Sequence, residues 1–552
     1  MTEAHMKTVR LVLGAVFLAQ TAWAQQGPPT PTSRPFHVVN YDLSIDLPET
    51  GKTIAGTAVL TVQRMGPGDT LRLDLLDLTV SRVQLDGKEV RFVRDSSSLR
   101  VAVAGATSRF TVAVQYGGAV TDGLIIGTDS AGRWMAFGDN WPNRARRWIP
   151  SIDHPSDKAT VSWTVKAPSD RRVIANGSLV EETPLPTPRD PDGSAGRPVS
   201  WTVTRWRESR PIAAYLMVIA AAPLVRFELG TTACGVAEFP GCVPQQLYVA
   251  PEQRHMAPGE FSRAGDIVEY FGRLIGPFPY EKLSHLQSST RFGGMENASA
   301  IFYDDKIFRR KGADAGLIAH ETAHQWFGDA VTEREWGHLW LSEGFATYFS
   351  ALYLGHAFGD SALVGHLRRD REGLVKSANV ASRPVIDTLQ TNLMALLNDN
   401  SYQKGGWVLH MLRQEVGDSA FFGGIRDYWA AHKHATALTD DLRAAVEKRS
   451  GRDLRWFFDQ WLRRPGVAEL ATSWRYDTTK HELHVVVEQG SRFAPYRLKL
   501  PVEITDAAGA TRTQVLEIGA QSRAEVVVPM RSAPRALTVD PGVAVLATFT
   551  AK

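Results

Sequence analysis

Two histidines four positions apart stand in the run His320-Glu321-Thr322-Ala323-His324, beyond the middle of the chain. If this run is helical, its i, i+4 spacing places both imidazoles on one face, within reach of a single ion. Zn²⁺ suits neutral imidazole nitrogens at about 2.0–2.1 Å, and a catalytic zinc site has three protein ligands and a fourth position for water. The pattern predicts a zinc-binding pair that requires a third ligand.

A carboxylate further along the chain can complete the ligand set. Glu343 follows His324 by 19 residues, which is far enough for the chain to turn back onto the metal. Glu321 comes directly after the first histidine, so its carboxylate points beside the ion, where it can accept the proton of an attacking water. We predict that Glu321 is the general base. By itself an HExxH run also arises by chance on exposed helices, where the glutamate is a surface residue.

The motifs around these residues resemble those of one peptidase family. The resemblance is carried by residues 148–155, 293–297, 320–328, 331–332, 339–346 and 402–406. Together they are similar to the zinc aminopeptidase N family, which also includes leukotriene hydrolase. The similarity spans residues 37 to about 466. It implies one Zn²⁺ per chain, held by His320, His324 and Glu343 in a thermolysin-like, mainly helical catalytic domain.

The stretch Gly293-Gly294-Met295-Glu296-Asn297 resembles the family's exopeptidase motif. The resemblance implies that these five residues bind substrate. Its glycines would let a substrate backbone approach an edge strand closely, and Glu296 would present its carboxylate to the free α-ammonium of a peptide. That charge pairing would make the enzyme cut only at the N-terminus.

Tyr402 resembles the catalytic tyrosine of the family. Its phenol would donate a hydrogen bond to the oxyanion that forms as water attacks the scissile carbonyl. Two other positions depart from the family pattern. Trp141 stands where many relatives carry a Glu or Gln as a second ammonium anchor, with Asp139 or Asn140 as candidate replacements. Ser350 stands where relatives often carry a carboxylate that orients a zinc-bound histidine.

The elements that must position these residues fall into three regions. Alternating apolar and polar residues, such as those at 41–47, predict an all-β domain over residues 36–245. A period near 3.6 predicts a mainly helical catalytic domain over 246–466. Short strands return over 467–552 and fit a small β-sandwich. The fold class is a multidomain α+β protein.

The composition limits the class of protein. With 552 residues, the chain is long enough for three or four domains. Its net charge of +3 is spread along the chain rather than gathered in a basic block, which argues against nucleic acid as the main partner. Hydrophobic residues make up 43% and charged residues 22%, which is typical of a folded globular protein.

The first residues resemble an export signal. Lys7 and Arg10 precede an apolar run at 11–19, and Ala22 and Ala24 are small residues at the two positions that signal peptidase reads. We predict a signal peptide over residues 1–24, a flexible lead-in over 25–35, and no membrane span after cleavage. The two cysteines, Cys234 and Cys242, are predicted to form a local disulfide in a periplasmic or secreted protein.

These features together predict a zinc-dependent aminopeptidase that hydrolyses N-terminal residues from peptides with a free N-terminus. Two alternatives stay open. A thermolysin-like endopeptidase shares the HExxH helix with a downstream glutamate. A catalytically silent peptide-binding scaffold would keep the fold but would have lost a ligand or the base, and neither loss is visible in the sequence.

Overall fold

The structure is a computed structural model that describes residues 34–186, 199–230, 234–235, 237–310 and 314–551. The predicted signal peptide and nearly all of the predicted lead-in, up to residue 33, lie outside the described residues. Within the described part of the chain, no helix is both long enough and apolar enough to cross a bilayer.

An all-β domain forms the N-terminal part of the molecule. Its strands are β1 Phe36–Asp46, β2 Thr53–Arg64, β3 Thr70–Asp74, β4 Thr79–Leu85, β5 Lys88–Glu89, β6 Phe92–Arg94, β7 Ser98–Ala102, β8 Arg109–Ala119, β9 Leu124–Thr128, β10 Trp134–Gly138, β11 Lys158–Pro168, β12 Arg172–Ala175, β13 Ser178–Pro184, β14 Trp201–Ala213 and β15 Ile219–Ala222. The largest sheet has the order β13-β14-β11-β1-β2-β8-β4-β5. Tyr41, Leu43 and Ile45 of β1 are buried while the residues between them are exposed, so the predicted alternation is confirmed.

A second sheet supports the exopeptidase motif. Its strands are β16 Val225–Glu228, β17 Gln245–Val249, β18 Leu283–Ser288, β19 Gly294–Met295 and β20 Ala300–Asp304, in the order β16-β17-β18-β20-β19. The sheet crosses the predicted domain boundary between residues 245 and 246, because β16 pairs with β17 in an antiparallel register. The change from a period of 2 to a period near 3.6 along the sequence therefore indicates the first helix of the catalytic domain, whereas the sheet of that domain begins earlier, at β16.

Helices dominate the rest of the catalytic domain. They are α1 Ala264–Leu274, α2 Asp305–Arg310, α3 Ala315–His324, α4 Trp340–Phe358, α5 Asp360–Leu374, α6 Ala378–Ser382, α7 Gly405–Val416, α8 Asp418–His432, α9 Thr439–Ser450 and α10 Arg455–Leu462. The two short strands β21 Val331–Glu333 and β22 Ala435–Ala437 pair in parallel. Asp314 is the N-cap of helix α3, and its side chain accepts a hydrogen bond from the Leu317 N–H. Helix α4 is buried on all sides through most of its length, so it lies inside the domain.

Two facing sheets form the C-terminal region. The strands are β23 Ala468–Asp477, β24 Glu482–Gln489, β25 Leu498–Thr505, β26 Thr511–Ile518, β27 Arg523–Pro529, β28 Ala536–Val539 and β29 Ala547–Ala551. They form one sheet in the order β27-β24-β23-β29 and another in the order β26-β25-β28. Both sheets bury alternate apolar residues, including Leu483 and Val485 of β24 and Leu500 and Val502 of β25. The predicted β-sandwich is confirmed.

Cys234 and Cys242 are joined by a disulfide, as predicted. The loop that they close lies between β16 and β17, beside the catalytic domain. Within this loop, the carboxylate of Glu238 pairs with Lys433 and, at 3.0 Å, with His434, both of which follow α8. The cross-linked loop is therefore tied to the helical part of the molecule.

Candidate active site

Helices α3 and α4 bring three potential metal ligands to one point. His320 and His324 lie one turn apart near the end of α3, and Glu343 lies in the first turn of α4. The Nε2 atoms of the two histidines are 3.2 Å apart. The Oε2 atom of Glu343 lies 3.4 Å from Nε2 of His320 and 3.3 Å from Nε2 of His324. The three side chains converge as the sequence predicts.

These separations fit a zinc ion. Tetrahedral ligands at about 2.0–2.1 Å from Zn²⁺ lie about 3.3–3.4 Å from one another, which agrees with the three observed distances. The Oε2 atom of Glu343 is buried and makes no hydrogen bond to any described residue. A buried carboxylate oxygen of this kind requires a partner, and a cation between the three side chains supplies one.

The pKa shifts of His320 and Glu343 favour metal binding, whereas that of His324 does not. Burial lowers the pKa of His324, but the charges of Glu343 and Glu296 outweigh burial and hold it well above its usual range. Burial lowers the pKa of His320, so its imidazole stays neutral. Burial disfavours the ionised form of Glu343, but the nearby His324 and His320 outweigh this effect and lower its pKa to about 2. A neutral imidazole and an ionised carboxylate are the forms that bind zinc.

The backbone after α3 holds the ring of His324. Its Nδ1 lies 3.1 Å from the carbonyl oxygen of Phe327 and 3.0 Å from the hydroxyl oxygen of Ser342. An Nδ1–H that donates to the carbonyl leaves Nε2 free to face the metal position. Gly328 has a φ of +116°, and a Cβ there would overlap the Ser342 hydroxyl. A glycine is therefore required at this turn.

Ser350 does not orient a histidine. Its hydroxyl donates to the carbonyl of Thr347, at 2.9 Å, within its own helix. The orienting contacts of His324 come instead from Phe327 and Ser342, which lie closer to the metal position along the chain. The turn after α3 and Ser342 thus orient His324, whereas relatives often use a carboxylate at the position of Ser350 to orient a zinc-bound histidine.

Glu321 lies beside the ligand set and is buried. Carboxylate oxygens of Glu321 and Glu296 and a ring nitrogen of His324 all lie within 4.8 Å of one another. A Cβ on Gly294 would overlap the carboxylate of Glu321. Gly294 therefore lacks a side chain because the glutamate occupies that space, which is a different reason from the predicted approach of a substrate.

Glu296 follows the edge strand β19 and faces the same space as Glu321. Glu296 is buried, with only 6% of its surface exposed, and burial raises its pKa to about 7. Its neighbours in the motif differ from one another. Gly293 is exposed, Met295 packs in the core, and the buried amide of Asn297 makes no hydrogen bond to any described residue.

The side chain of Gln325 fixes the loop that carries Glu296. Its Nε2 donates to the carbonyl of Glu296 and to Oδ2 of Asp329, both at 2.8 Å. Its Oε1 accepts from the N–H of Ser299, also at 2.8 Å. Because Gln325 directly follows His324, this one amide joins the exopeptidase loop to the metal-binding helix.

Tyr402 lies against the first histidine of the pair. It belongs to a π-helical turn, Asn400–Lys404, that leads into α7. Its ring is parallel to that of His320, with an interplanar angle of 8° and 6.1 Å between centroids. Burial, together with the negative charge of Glu343, holds the pKa of Tyr402 well above its usual range. The phenol therefore stays protonated and can donate a hydrogen bond.

Comparisons with known proteins agree with this geometry. The family descriptions "Peptidase M1 N-terminal domain" and "Peptidase family M1 domain" match residues 37–216 and 262–461. Together these matches cover more than half of the chain. The chain belongs to the aminopeptidase N family of zinc metallopeptidases.

Individual M1 relatives are distant and mostly longer. Aminopeptidase N of Streptomyces lividans is 29% identical over 463 residues, which cover 78% of this chain and 50% of that protein. The M1 zinc metallopeptidase from Deinococcus radiodurans is 25% identical, with a TM-score of 0.65 over 79% of this chain and 95% of that one. Legionella pneumophila aminopeptidase A shares the fold, with a TM-score of 0.80 over 95% of this chain and 60% of that one, at 18% identity. The chain spans about half or less of the length of several curated M1 relatives that it matches.

The position of the second ammonium anchor in many M1 enzymes is aromatic here. Trp141 packs edge-on against Phe292, at 6.0 Å between ring centroids, and against Trp336, at 5.6 Å. Asp139 is not free to replace the anchor, since it pairs with Arg144 at 3.0 Å and Arg291 at 3.1 Å. Two guanidinium groups therefore already neutralise this carboxylate.

Asn140 is engaged as well. Its Nδ2 donates to the carbonyl of Met217, at 2.7 Å, and its Oδ1 accepts from the indole N–H of Trp148, at 2.8 Å. Neither candidate replacement can therefore reach a substrate amine without breaking a buried contact. Among the acidic groups considered for this role, Glu296 is the one that faces the site.

Two residues that hold the site carried no signal in the sequence. Asn176 donates to the carbonyl of Ala298 at 2.7 Å, and Lys158 donates to the carbonyl of Asp329 at 2.8 Å. Both contacts join the β domain to segments more than 120 residues further along the chain. Gln325 could have been identified, because it lies within the family motif itself.

Proposed function

We propose that the protein is a zinc-dependent aminopeptidase that removes N-terminal residues from peptides. The observation that carries this proposal is the position of Glu296. A carboxylate oxygen of Glu296 lies within 4.8 Å of ligand-capable atoms of both Glu321 and His324. A peptide ammonium paired with Glu296 would therefore leave the first peptide bond close to the base and the ligand set.

Each side chain has one task in this reaction. His320, His324 and Glu343 would hold the ion. A bound Zn²⁺ would supply Lewis-acid polarisation of the scissile carbonyl. Glu321 takes a proton from the attacking water and then delivers it to the nitrogen of the leaving amine, so that the C–N bond breaks as a neutral amine forms.

Two further groups act on the substrate in this proposal. The hydroxyl of Tyr402 donates a hydrogen bond to the carbonyl oxygen as that oxygen becomes negative. Glu296 binds the α-ammonium and so sets which peptide bond is presented. The closed space around Glu321 and Glu296, both more than nine-tenths buried, strengthens these electrostatic contacts.

An endopeptidase and a catalytically silent binding protein are weaker candidates. An endopeptidase must accept chain on both sides of the cut bond, whereas a buried carboxylate here faces the place where the chain would continue. A silent scaffold would lack a ligand or the base, yet all three ligands and Glu321 are present and convergent.

We also propose that the protein acts outside the cytoplasm, in the periplasm or as a secreted enzyme. The disulfide between Cys234 and Cys242 supports this location, because structural disulfides persist in oxidising compartments. The predicted signal peptide over residues 1–24 is the second support.

Paired peptides test the proposed activity. A peptide with a free N-terminus and its N-acetylated counterpart are incubated with the purified protein, with and without a chelator, and the products are identified by mass spectrometry. We expect stepwise loss of N-terminal residues from the free peptide alone, loss of this activity with chelator, and recovery on addition of Zn²⁺. Cleavage of both peptides would support an endopeptidase, and cleavage of neither would contradict the proposal.

A panel of aminoacyl fluorogenic substrates then defines the first-residue preference. Trp141, Phe292 and Trp336 form an aromatic cluster beside the exopeptidase loop. The panel should therefore compare substrates whose first side chain is large with substrates whose first side chain is small. Rates on alanyl, leucyl and arginyl substrates, each measured with chelator as the blank, give metal dependence and specificity in one experiment.

A further inference from the structure

A buried lysine joins the β domain to the catalytic domain. Lys158, the first residue of β11, donates to the carbonyls of Asp329 and Ala330, both at 2.8 Å, and to that of Ala435 at 3.1 Å. The residue is 6% exposed. An ammonium has three N–H donors, so the full hydrogen-bonding capacity of Lys158 is directed at backbone of the catalytic domain.

Two of these bonds reach the turn between α3 and β21, residues 325–330, and the third reaches β22. The N–H of Asp329 donates to the carbonyl of His324 at 3.0 Å, and the N–H of Ala330 donates to the carbonyl of Gln325 at 3.2 Å. The carbonyl of Phe327 lies 3.1 Å from Nδ1 of His324. The turn is therefore the support against which the second histidine is oriented.

A second side chain from the β domain holds the same turn. The hydroxyl of Tyr215 donates to the carbonyl of Gly328 at 3.2 Å, and the residue is buried. Lys158 and Tyr215 together thus bind the carbonyls of Gly328, Asp329 and Ala330. These three consecutive residues are clamped from the neighbouring domain just beyond the carbonyl that meets the His324 ring.

We propose that Lys158 is a positioning residue of the metal centre, which sets its affinity for zinc from the other domain. This inference rests on the proposed function only in assigning zinc to His320, His324 and Glu343. A group that orients a metal-binding histidine typically changes metal affinity by about 10- to 100-fold when removed. Lys158 acts one step further out, through the turn, so we expect a loss of about 10-fold, at the lower end of that range.

Another buried lysine provides a matched comparison. Lys282 is also 6% exposed, and its ammonium donates to the carbonyl of Ser299 at 2.8 Å. Ser299 belongs to the loop that carries Glu296, and its N–H is held by Gln325. Lys282 therefore supports the ammonium anchor, whereas Lys158 supports the metal ligand.

The test measures the zinc dissociation constant by competition with a chromogenic chelator. The full-length protein is compared with Lys158→Met, Lys282→Met and Val165→Ala, and the melting temperature of each is recorded. Val165 lies in the same strand as Lys158 and is fully buried. Its truncation to alanine should lower the stability of the protein without removing a hydrogen bond to the turn, so it controls for an effect of stability alone. We expect weaker zinc binding, by about 10-fold, in Lys158→Met alone. In Lys282→Met we expect a raised KM for free peptides with unchanged zinc affinity.

The outcomes separate this inference from the proposed function. Wild-type protein that binds no zinc contradicts the proposed function. Zinc binding in Lys158→Met equal to wild type, or an equal loss in Val165→Ala at the same melting temperature, overturns the role of Lys158. If Lys158→Met does not fold, Tyr215→Phe decides, because it keeps the ring and removes only the hydroxyl donated to Gly328. We expect a smaller loss of zinc affinity in that variant, and no loss overturns the inference.

Discussion

The metal side and the ammonium side of the site are built in different ways. His320, His324 and Glu343 come from the helices α3 and α4. Their spacing along the chain predicts that these three side chains converge. Glu296 sits on a loop after a two-residue edge strand, and that loop is held by groups from several distant elements. The comparison shows that local periodicity encodes the ligands, whereas long-range packing encodes the anchor.

One residue joins the two sides. Gln325 follows His324 on the metal side, and its amide binds the backbone of Glu296 and Ser299 on the ammonium side. Gln325 therefore links the anchor directly to the ligands, and their separation decides where a peptide is cut. Variants on either side of Gln325 should separate turnover from substrate binding.

The largest effect is expected on the metal side, at the base. Glu321→Gln keeps the size of the side chain but removes its ability to take a proton, so kcat should fall by about 10²- to 10⁴-fold. Zinc content, measured by atomic absorption, should match the wild type, because Glu321 is not one of the three ligands. Binding of a peptide should also persist. Unchanged turnover would refute the assignment of the base.

Tyr402→Phe should have the next largest effect. The variant keeps the ring that lies parallel to His320 and removes only the hydroxyl. Loss of one oxyanion donor typically lowers kcat by about 10²- to 10³-fold. We expect KM and zinc content to stay close to wild type. A change in KM with kcat preserved would place Tyr402 in substrate binding instead.

The sequence predicts the metal side more completely than the ammonium side. The HExxH spacing places both histidines on one face once α3 forms, and Glu343 joins them once the next helix packs against α3. By contrast, the hydrogen bond from Asn176 to the carbonyl of Ala298 joins residues 122 apart. No local pattern marks such a pair, because it depends on how two domains pack.

The same limit explains why the sequence could not place the second anchor or the sheet that spans residues 245 and 246. Asp139 is acidic and close to the right position, but its neutralisation by Arg144 and Arg291 depends on folding of the β domain against the exopeptidase loop. The pairing of β16 with β17 depends in the same way on contacts between segments separated by the disulfide loop. In both cases the local structure is determined by tertiary contacts between segments that are distant along the chain.

A moderate effect is expected where the two sides meet. Gln325→Leu removes the donors to Glu296 and Asp329 and the acceptor for Ser299, while keeping a similar volume. The loop with Glu296 should become less ordered, so KM for free peptides should rise by about 10-fold, which corresponds to roughly 1.4 kcal/mol. Steady-state kinetics give the split between KM and kcat.

A control variant sharpens this prediction. Gln325→Glu keeps the acceptor for the Ser299 N–H but places a carboxylate against the Glu296 carbonyl and the Asp329 carboxylate. It should be at least as damaging as Gln325→Leu, because acceptor oxygens then face each other where Gln325 donated hydrogen bonds. Equal KM values in the wild type and both variants would show that Gln325 does not position the anchor.

The smallest effect concerns pH and the ammonium side alone. Burial raises the pKa of Glu296 to about 7, with Glu343 adding to the shift and His324 opposing it. A bound zinc ion adds positive charge and moves this pKa downward. Glu296 is ionised above its pKa and neutral below it, and only the ionised form pairs with an ammonium. The profile of kcat/KM should therefore decline on the acid side, with a midpoint at or below pH 7.

Glu296→Gln tests the origin of that decline. The amide cannot ionise, so this variant should be less active throughout but should lose the acid limb that Glu296 causes. Gln325→Leu, which disturbs the position of Glu296 and leaves its carboxylate in place, should retain the limb. If the acid limb of kcat/KM is unchanged in Glu296→Gln, it arises from another titrating group. The pH dependence would then be assigned to the metal side of the site instead of to Glu296.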